Sequence, residues 1–390
     1  MHIDLNAFFA TCEELRDPKL KGLPLIIGSK GRSGIVSTAN YAARKYGIHS
    51  GQPTFQAEKL CPSVLVLPPD FDYYRVMSHS FFSYVKRYSS IIEQASIDEA
   101  YVDMTGALKG VQDPERYFKE LQAGLLQETG LPCSIGVAPI KWLAKMASDL
   151  KKPMGLVILR RRDIPKTLFP LPIESFGGIV KKTSPILRSL GVNTIGDLAH
   201  RLEAADPLIE RELGKFAADA LSLCHGKGSD HVDVEPWDPK SVGVSETLMR
   251  DIYSFDDAEA PLQAICQEVS ERAKEERKVG YTISLTVKDN QFRLHQKSRT
   301  LEAPTSSFAT IYEVASSLFK AHFSPSPFPI RLIGVTLGRL GDQGKQTVQM
   351  NLWNYESYEA MDETKLLINE SNRNLDKPVF MRSSEAKKEK

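Results

Sequence analysis

Two adjacent acids, Asp98 and Glu99, stand inside an otherwise strand-like run from Glu93 to Asp103. In an uninterrupted strand neighbouring side chains point to opposite faces, so the pair can share a task only where the strand turns. A tight hairpin turn at about Ile97-Asp98, carrying both acids on one rim, is therefore expected. Two uncompensated carboxylates a few ångströms apart repel, and one takes up a proton unless a cation holds them. A divalent metal is the natural occupant, although a solvated strand end accounts for the same pair. The start of the chain adds a third acid: Asp4 lies alone in the apolar strand His2-Ile3-Asp4-Leu5, ahead of a helix containing Glu13, Glu14 and Leu15. Burying it unpaired costs several kcal/mol, so it calls for a cation or several donors. Three carboxylates are the oxygen ligands expected for magnesium and the wrong type for zinc. Two such ions close together suit in-line attack on a phosphorus centre.

At 390 residues, the chain is long enough for two to four domains, and a composition 42% hydrophobic and 25% charged is that of an ordinary globular protein. The formal charge of +1 gives no argument for nucleic-acid binding, so only a local basic surface could support it. The five cysteines, Cys12, Cys61, Cys133, Cys224 and Cys266, include no C-x-x-C pair, which points to reduced thiols without disulfides or zinc. No apolar run approaches the roughly 18–20 residues of a membrane span, and the first residues lack a signal peptide's basic-then-apolar order. A cytoplasmic protein away from membranes is expected.

Leu23 to Gly28 and Ile35 to Ala39 read as strands joined by a turn at Ser29 to Gly34. The segment Ser37 to Gly47 reads as a helix start ended by Gly47. Within it Thr38, Tyr41 and Arg44 recur every three residues. They offer a hydroxyl, a phenol and a guanidinium to a triphosphate; a solvated helix face explains them equally well. Phe71 to Ser90 carries a helical apolar pattern through Tyr74, Val76, Met77, Phe81, Phe82 and Val85.

Four blocks in fixed order carry a family resemblance: Asp4-Leu5-Asn6-Ala7-Phe8-Phe9, Ser37 to Gly47, Ser96 to Asp103, and Ser134 to Ala138 through Lys145 to Gly155. Their order and spacing resemble the Y-family DNA polymerases, most of all the DinB (DNA polymerase IV) branch, over roughly residues 1–340. The resemblance implies an α+β, multidomain right-hand polymerase. Its parts would be a palm with a ferredoxin-like sheet (1–10 and 72–165), small fingers (11–71), a helical thumb with a helix-hairpin-helix (166–231), a linker (232–240), an α+β little finger (241–340) and a flexible tail (341–390).

It also implies roles. Asp4, Asp98 and Glu99 match the catalytic metal ligands, joined by the Leu5 carbonyl, for two Mg2+ ions with Mn2+ as a substitute. Phe9, otherwise read as a core phenylalanine, matches the steric gate that excludes ribonucleotides. Thr38, Tyr41, Arg44 and Lys152 match the groups that hold the triphosphate. Asn6 replaces an aspartate frequent in the family, a departure expected to be harmless. The implied activity is template-directed, low-fidelity lesion-bypass synthesis by a monomer that binds primer-template DNA and deoxynucleoside triphosphates.

In the thumb, Phe176 to Thr183 resembles a helix-hairpin-helix, with Gly178, Lys181 and Lys182 facing DNA, but Val180 stands where a second glycine is usual. From Arg277 to Leu340, nine Lys/Arg face three acids, among them Arg293, Lys297, Arg299 and Arg331, which suits sequence-independent phosphate contacts. Gln349-Met350-Asn351-Leu352-Trp353 resembles the motif by which bacterial polymerases dock into a sliding clamp, through Gln349, Leu352 and Trp353; a terminal strand that buries Leu352 and Trp353 is the competing reading. Two other functions compete: a nucleotidyl cyclase on a palm fold, which needs no thumb or clamp motif, and a non-catalytic clamp-bound DNA scaffold, which would lack a metal carboxylate.

Overall fold

The computed structural model describes residues 1–344 apart from Lys181 and Pro236. The chain divides into two compact units, Met1–Asp238 and a second beginning at Pro239. The clamp-motif residues Gln349, Leu352 and Trp353, and Lys181 of the thumb, lie outside the described residues.

In the first unit the strands are β1 (His2–Leu5), β2 (Leu25–Gly28), β3 (Val36–Ala39), β4 (Leu65–Leu67), β5 (Ile92–Gln94), β6 (Glu99–Val102), β7 (Cys133–Val137) and β8 (Leu156–Ile158). A five-stranded sheet runs β5-β6-β1-β7-β8, with β1 antiparallel to both neighbours and β7 parallel to β8. Period-two alternation divides β1 cleanly. Ile3 and Leu5 join Ala100, Val102, Cys133 and Ile135 in a core closed by Tyr74 and Phe81 of the helix Phe71–Val85 and by Phe118, Leu121 and Leu125 of the helix Pro114–Thr129. Full burial of each such aliphatic side chain contributes about 1.5–3 kcal/mol. His2 and Asp4 therefore occupy the opposite face, in register with Tyr101 and Glu99 on β6 and with Gly136 and Ser134 on β7. Over that face lies the helix Lys141–Asp149; a Cβ on Gly136 would come within 2.0 Å of the Ala144 carbonyl oxygen, so only glycine lets the helix approach so closely.

The small sheet β3-β2-β4 covers a core of Ile26, Val36, Ala39, Ala43, Ile48, Ala57 and Cys61. Here the strand expected to end at Ala39 forms, while the helix start read from Ser37 begins only at Tyr41. Ser37 to Ala39 stay in β3, where Thr38 is registered with Ile27, and the helix is one turn, Tyr41–Arg44. Asn40 makes the break: its side chain caps the helix at the Ala43 N–H (2.9 Å) and also accepts from Leu25 N (3.1 Å), fastening the turn to β2.

Short helices follow: Thr183–Ser189, Ile195–Glu203, Pro207–Leu213 and Phe216–Cys224, packed around Phe176, Leu187, Ile195 and Leu198. Ahead of Gly178 the chain makes a single 3-10 turn, Ile173–Ser175. Thr194 and Asp197 close a reciprocal cap on Ile195–Glu203.

The second unit has β9 (Ser241–Ile252), β10 (Lys278–Asp289), β11 (Leu294–Thr305) and β12 (Ile330–Asp342), antiparallel in the order β11-β10-β12-β9. The helices Phe255–Glu275 and Phe308–Phe323 pack on one face over Ile283, Leu285, Val287, Ile333 and Val335.

Candidate active site

β5 and β6 form a hairpin whose turn spans Ala95 to Asp98, with the Ala95 and Ser96 N–H groups both donating to the Glu99 carbonyl (3.1 and 3.2 Å). Asp98 closes the turn, Glu99 opens β6, and the Leu5 N–H donates to the Asp98 carbonyl (2.9 Å), tying β1 to the same corner. Asp4 and Glu99 are direct register partners. The three acids thus meet at one corner of the sheet, beside the helix Lys141–Asp149. The Ser96 hydroxyl bonds the Asp98 carboxylate and also accepts from the Asp98 N–H (3.1 Å).

Lysines stand against this corner. Lys152 Nζ is 2.8 Å from Asp4 Oδ1 and 2.8 Å from Asp149 Oδ1, and Lys145 Nζ is 2.6 Å from Glu99 Oε2. His2 Nε2 lies 3.3 Å from the same Glu99 oxygen, outside regular hydrogen-bond geometry, while His2 Nδ1 pairs with Ser148 Oγ (2.9 Å). The carboxylates respond in opposite directions. Burial pushes Asp4 up and the charge of Asp98 adds to that, with Lys152 opposing both. His2, followed by Lys145, holds Glu99 down to about 2 against its own burial. The donor set fits a hard divalent cation: oxygen ligands on adjoining strands, one of them raised partly by its neighbour's negative charge. With the lysines on Asp4 and Glu99, no group of three carboxylate, imidazole or thiol ligands among the described residues is gathered for an ion as it stands.

Ala7, in the left-handed conformation (φ 48°), turns the chain from β1 into the helix Phe8–Arg16. Phe8 then enters the core, while Phe9 stays half-buried and stacks on Tyr74 (centroids 4.5 Å apart, 14° between planes) with Phe71 edge-on at 5.8 Å. Beneath it the Tyr74 hydroxyl donates to Glu13 Oε1 (2.8 Å). Arg44 lies over the Tyr41 ring (4.8 Å) and donates through Nε to the Ala39 carbonyl (2.9 Å). The Tyr41 hydroxyl is buried with no hydrogen-bond partner, and burial raises its pKa although Arg44 and Lys152 act against that. A buried, unpartnered phenol beside two cations is the structure's clearest opening for an anionic ligand.

The impB/mucB/samB family matches residues 3–149, and the C-terminal domain of that family matches 239–352. DNA polymerase IV of Alkaliphilus oremlandii is 38% identical over 363 residues, covering 92% of this chain and 90% of that protein. DNA polymerase IV of Bacillus velezensis is 36% identical over 392 residues, covering 100% and 93%. The chain belongs to the DinB (DNA polymerase IV) branch of the Y-family DNA polymerases. Among solved structures, a Y-family chimera of Dbh and Dpo4 superimposes with a TM-score of 0.74 at 26% identity, covering 87% of this chain and 98% of that one. DinB from Sulfolobus solfataricus gives 0.56 at 28% identity, over 86% and 97%.

This Y-family member is a template-directed DNA polymerase of the translesion kind, with the divalent-metal dependence of its family. Neither the cyclase nor the scaffold alternative is favoured. No described helix is long and apolar enough to cross a membrane.

The residues expected to meet DNA fall in both units of the polymerase. A Cβ on Gly178 (φ +113°) would lie 2.6 Å from Phe216 Cζ, so this glycine has a packing reason of its own; Lys182 is exposed just ahead of Thr183–Ser189. Arg293 Nε donates to Asp289 (2.8 Å), Arg331 covers the Phe292 ring (5.0 Å) and Arg299 reaches Ser317 Oγ (3.2 Å). Lys297 and Arg299 pair across the ladder with Leu285 and Ile283, which places them on the helix-covered side of the sheet at its β11 edge. The opposite side is built of small residues such as Ser245, Ser284, Thr286, Gly334 and Thr336. His2, Asn6, Glu13, Tyr74 and Lys145 were not assigned site roles from sequence. His2 and Lys145 do carry a signal, since period-two alternation puts His2 beside Asp4, and a lysine four residues before Asp149 shares its helix face.

Proposed function

We propose that Asp4, Asp98 and Glu99, with the Leu5 carbonyl, hold two Mg2+ ions, replaceable by Mn2+, and that Phe9, Thr38, Tyr41, Arg44 and Lys152 receive the deoxynucleoside triphosphate. The observation that carries this reading is the direct pairing of Asp4 with Glu99 beside the Asp98 turn. Bound there, the ions supply positive charge that makes the primer 3′-hydroxyl a better nucleophile and offsets charge on the departing pyrophosphate. Lys152 and Arg44 neutralise the β- and γ-phosphates, and the Tyr41 hydroxyl donates to a phosphate oxygen. Lys152 leaves Asp4 to do so, having held that carboxylate in the meantime. Phe9, braced by Tyr74, occupies the volume a ribose 2′-hydroxyl would need.

The domain assignment follows: palm 1–10 and 72–165, fingers 11–71, thumb 166–231, linker 232–240, little finger 241–340, tail 341–390. Gly178, Lys181 and Lys182 of the thumb and Arg293, Lys297, Arg299 and Arg331 of the little finger contact the DNA backbone without reading bases, since template pairing supplies the sequence information. Gln349, Leu352 and Trp353 dock a monomeric, cytoplasmic enzyme onto the sliding clamp, which raises its concentration at primer ends. Primer extension with Mg2+ on undamaged and damaged templates tests the site directly: Asp98→Asn should abolish extension on both, and normal extension by that variant would overturn the metal assignment.

A further inference from the structure

Asn6 is 2% exposed, and its side chain does not turn toward the carboxylates beside it in sequence. Its Oδ1 accepts from the Met154 N–H (2.7 Å) and its Nδ2 donates to Ser134 Oγ (2.9 Å); the same Ser134 oxygen accepts from the Gly155 N–H (3.3 Å). Met154 is in the left-handed region (φ 57°), a conformation that is strained for a non-glycine residue and persists only where its surroundings hold it. Two residues before it stands Lys152, with Nζ 2.8 Å from Asp4. The loop that carries Lys152 into the site is thus pinned at two consecutive N–H groups, Met154 directly by Asn6 and Gly155 by the Ser134 hydroxyl that Asn6 holds.

We propose that Asn6 is a positioning residue that sets Lys152 at the height of the incoming triphosphate, so that this loop, and not the metal corner, depends on it. The inference rests on the triphosphate reading of Lys152. A pinned loop presents its ammonium without first losing conformational freedom, and the loss should therefore appear in nucleotide affinity. An aspartate at this position would keep an acceptor for Met154 and let the Ser134 hydroxyl donate in place of the lost amide.

The test is single-nucleotide insertion by the full chain on primer-template DNA with Mg2+, together with amide hydrogen exchange of residues 152–155. Asn6→Ala should raise KM for the nucleotide about tenfold with kcat within about threefold, leave the Mg2+ concentration for half-maximal activity in place, and speed exchange at Met154 and Gly155. Asn6→Asp should return KM to within about twofold of the wild type. An unmoved KM in Asn6→Ala, or a fall in kcat alone, overturns the inference. Should Asn6→Ala not fold, Ser134→Ala takes its place, with KM expected to rise about threefold and an unmoved KM again decisive against the latch. Lys152→Ala separates the two readings: if it leaves KM unchanged, the triphosphate role of Lys152 fails and the latch falls with it; if it raises KM while Asn6→Ala does not, only the latch fails.

Discussion

Asp4 of β1 sits directly across the antiparallel ladder from Glu99 of β6, and the two carboxylates are perturbed in opposite senses, Asp4 upward by burial and Glu99 downward to about 2. Non-bonded or hydrogen-bonded, such a pair lies about 4.5–5.5 Å apart at Cα, close enough for side chains on one face to share a ligand.

Removing any one of the three acids should stop synthesis while sparing the fold. Asp4→Asn, Asp98→Asn and Glu99→Gln should each lower single-turnover primer extension by about three orders of magnitude. Circular dichroism should stay close to the wild type, and near-normal extension by any of them would remove that residue from the metal site.

Sugar selection should depend on the ring at position 9. Phe9→Ala should cut discrimination against ribonucleotides by roughly two orders of magnitude, read as the ratio of kcat/KM for ribo- and deoxynucleotide. A ratio that stays put would return Phe9 to the role of a core side chain.

The depressed pKa of Glu99 gives acid sensitivity a definite sign. A carboxylate held to about 2 when folded and at its ordinary 4.5 when unfolded contributes stability that is complete above about pH 4.5 and lost as pH falls toward 2. Urea unfolding in chelator between pH 5 and about 2.5 should show a steeper decline for the wild type than for Glu99→Gln; parallel declines would mean that His2 and Lys145 do not stabilise the ionised form.

Gly178→Ala should destabilise the first unit by about 2–3 kcal/mol, because it combines a left-handed φ with a clash against Phe216. Reduction of the residue at 216 in the double variant Gly178→Ala, Phe216→Leu should restore part of the loss. DNA affinity of the folded protein would show whether the turn also touches phosphate.

Deleting Gln349 to Trp353 should abolish stimulation by a sliding clamp and leave distributive synthesis unchanged. Equal loss of both would give this segment a structural role.

The carboxylate corner was legible in the sequence because strand geometry is strict: two adjacent acids in a strand can share a task only across a turn, and β1 alternation puts Asp4 on one face whatever the rest of the fold does. The Thr38, Tyr41 and Arg44 spacing misled, because Asn40 ends a strand and caps a one-turn helix, and a three-residue repeat cannot reveal that break. The contacts of Asn6 are not legible in the sequence because its partners, Ser134 and Met154, are more than a hundred residues away and only the folded sheet brings them together. The side of the little-finger sheet that Lys297 and Arg299 occupy depends on register with β10, which charge counting does not contain.

The Phe9, Tyr74 and Glu13 stack has a consequence for how the enzyme behaves as conditions change. A triphosphate held by lysine and arginine is held by screened charge, so the grip slackens as salt rises. A wall of stacked rings excludes by volume, and volume is indifferent to ionic strength. In concentrated salt the polymerase should therefore work more slowly yet choose its sugars as strictly as before.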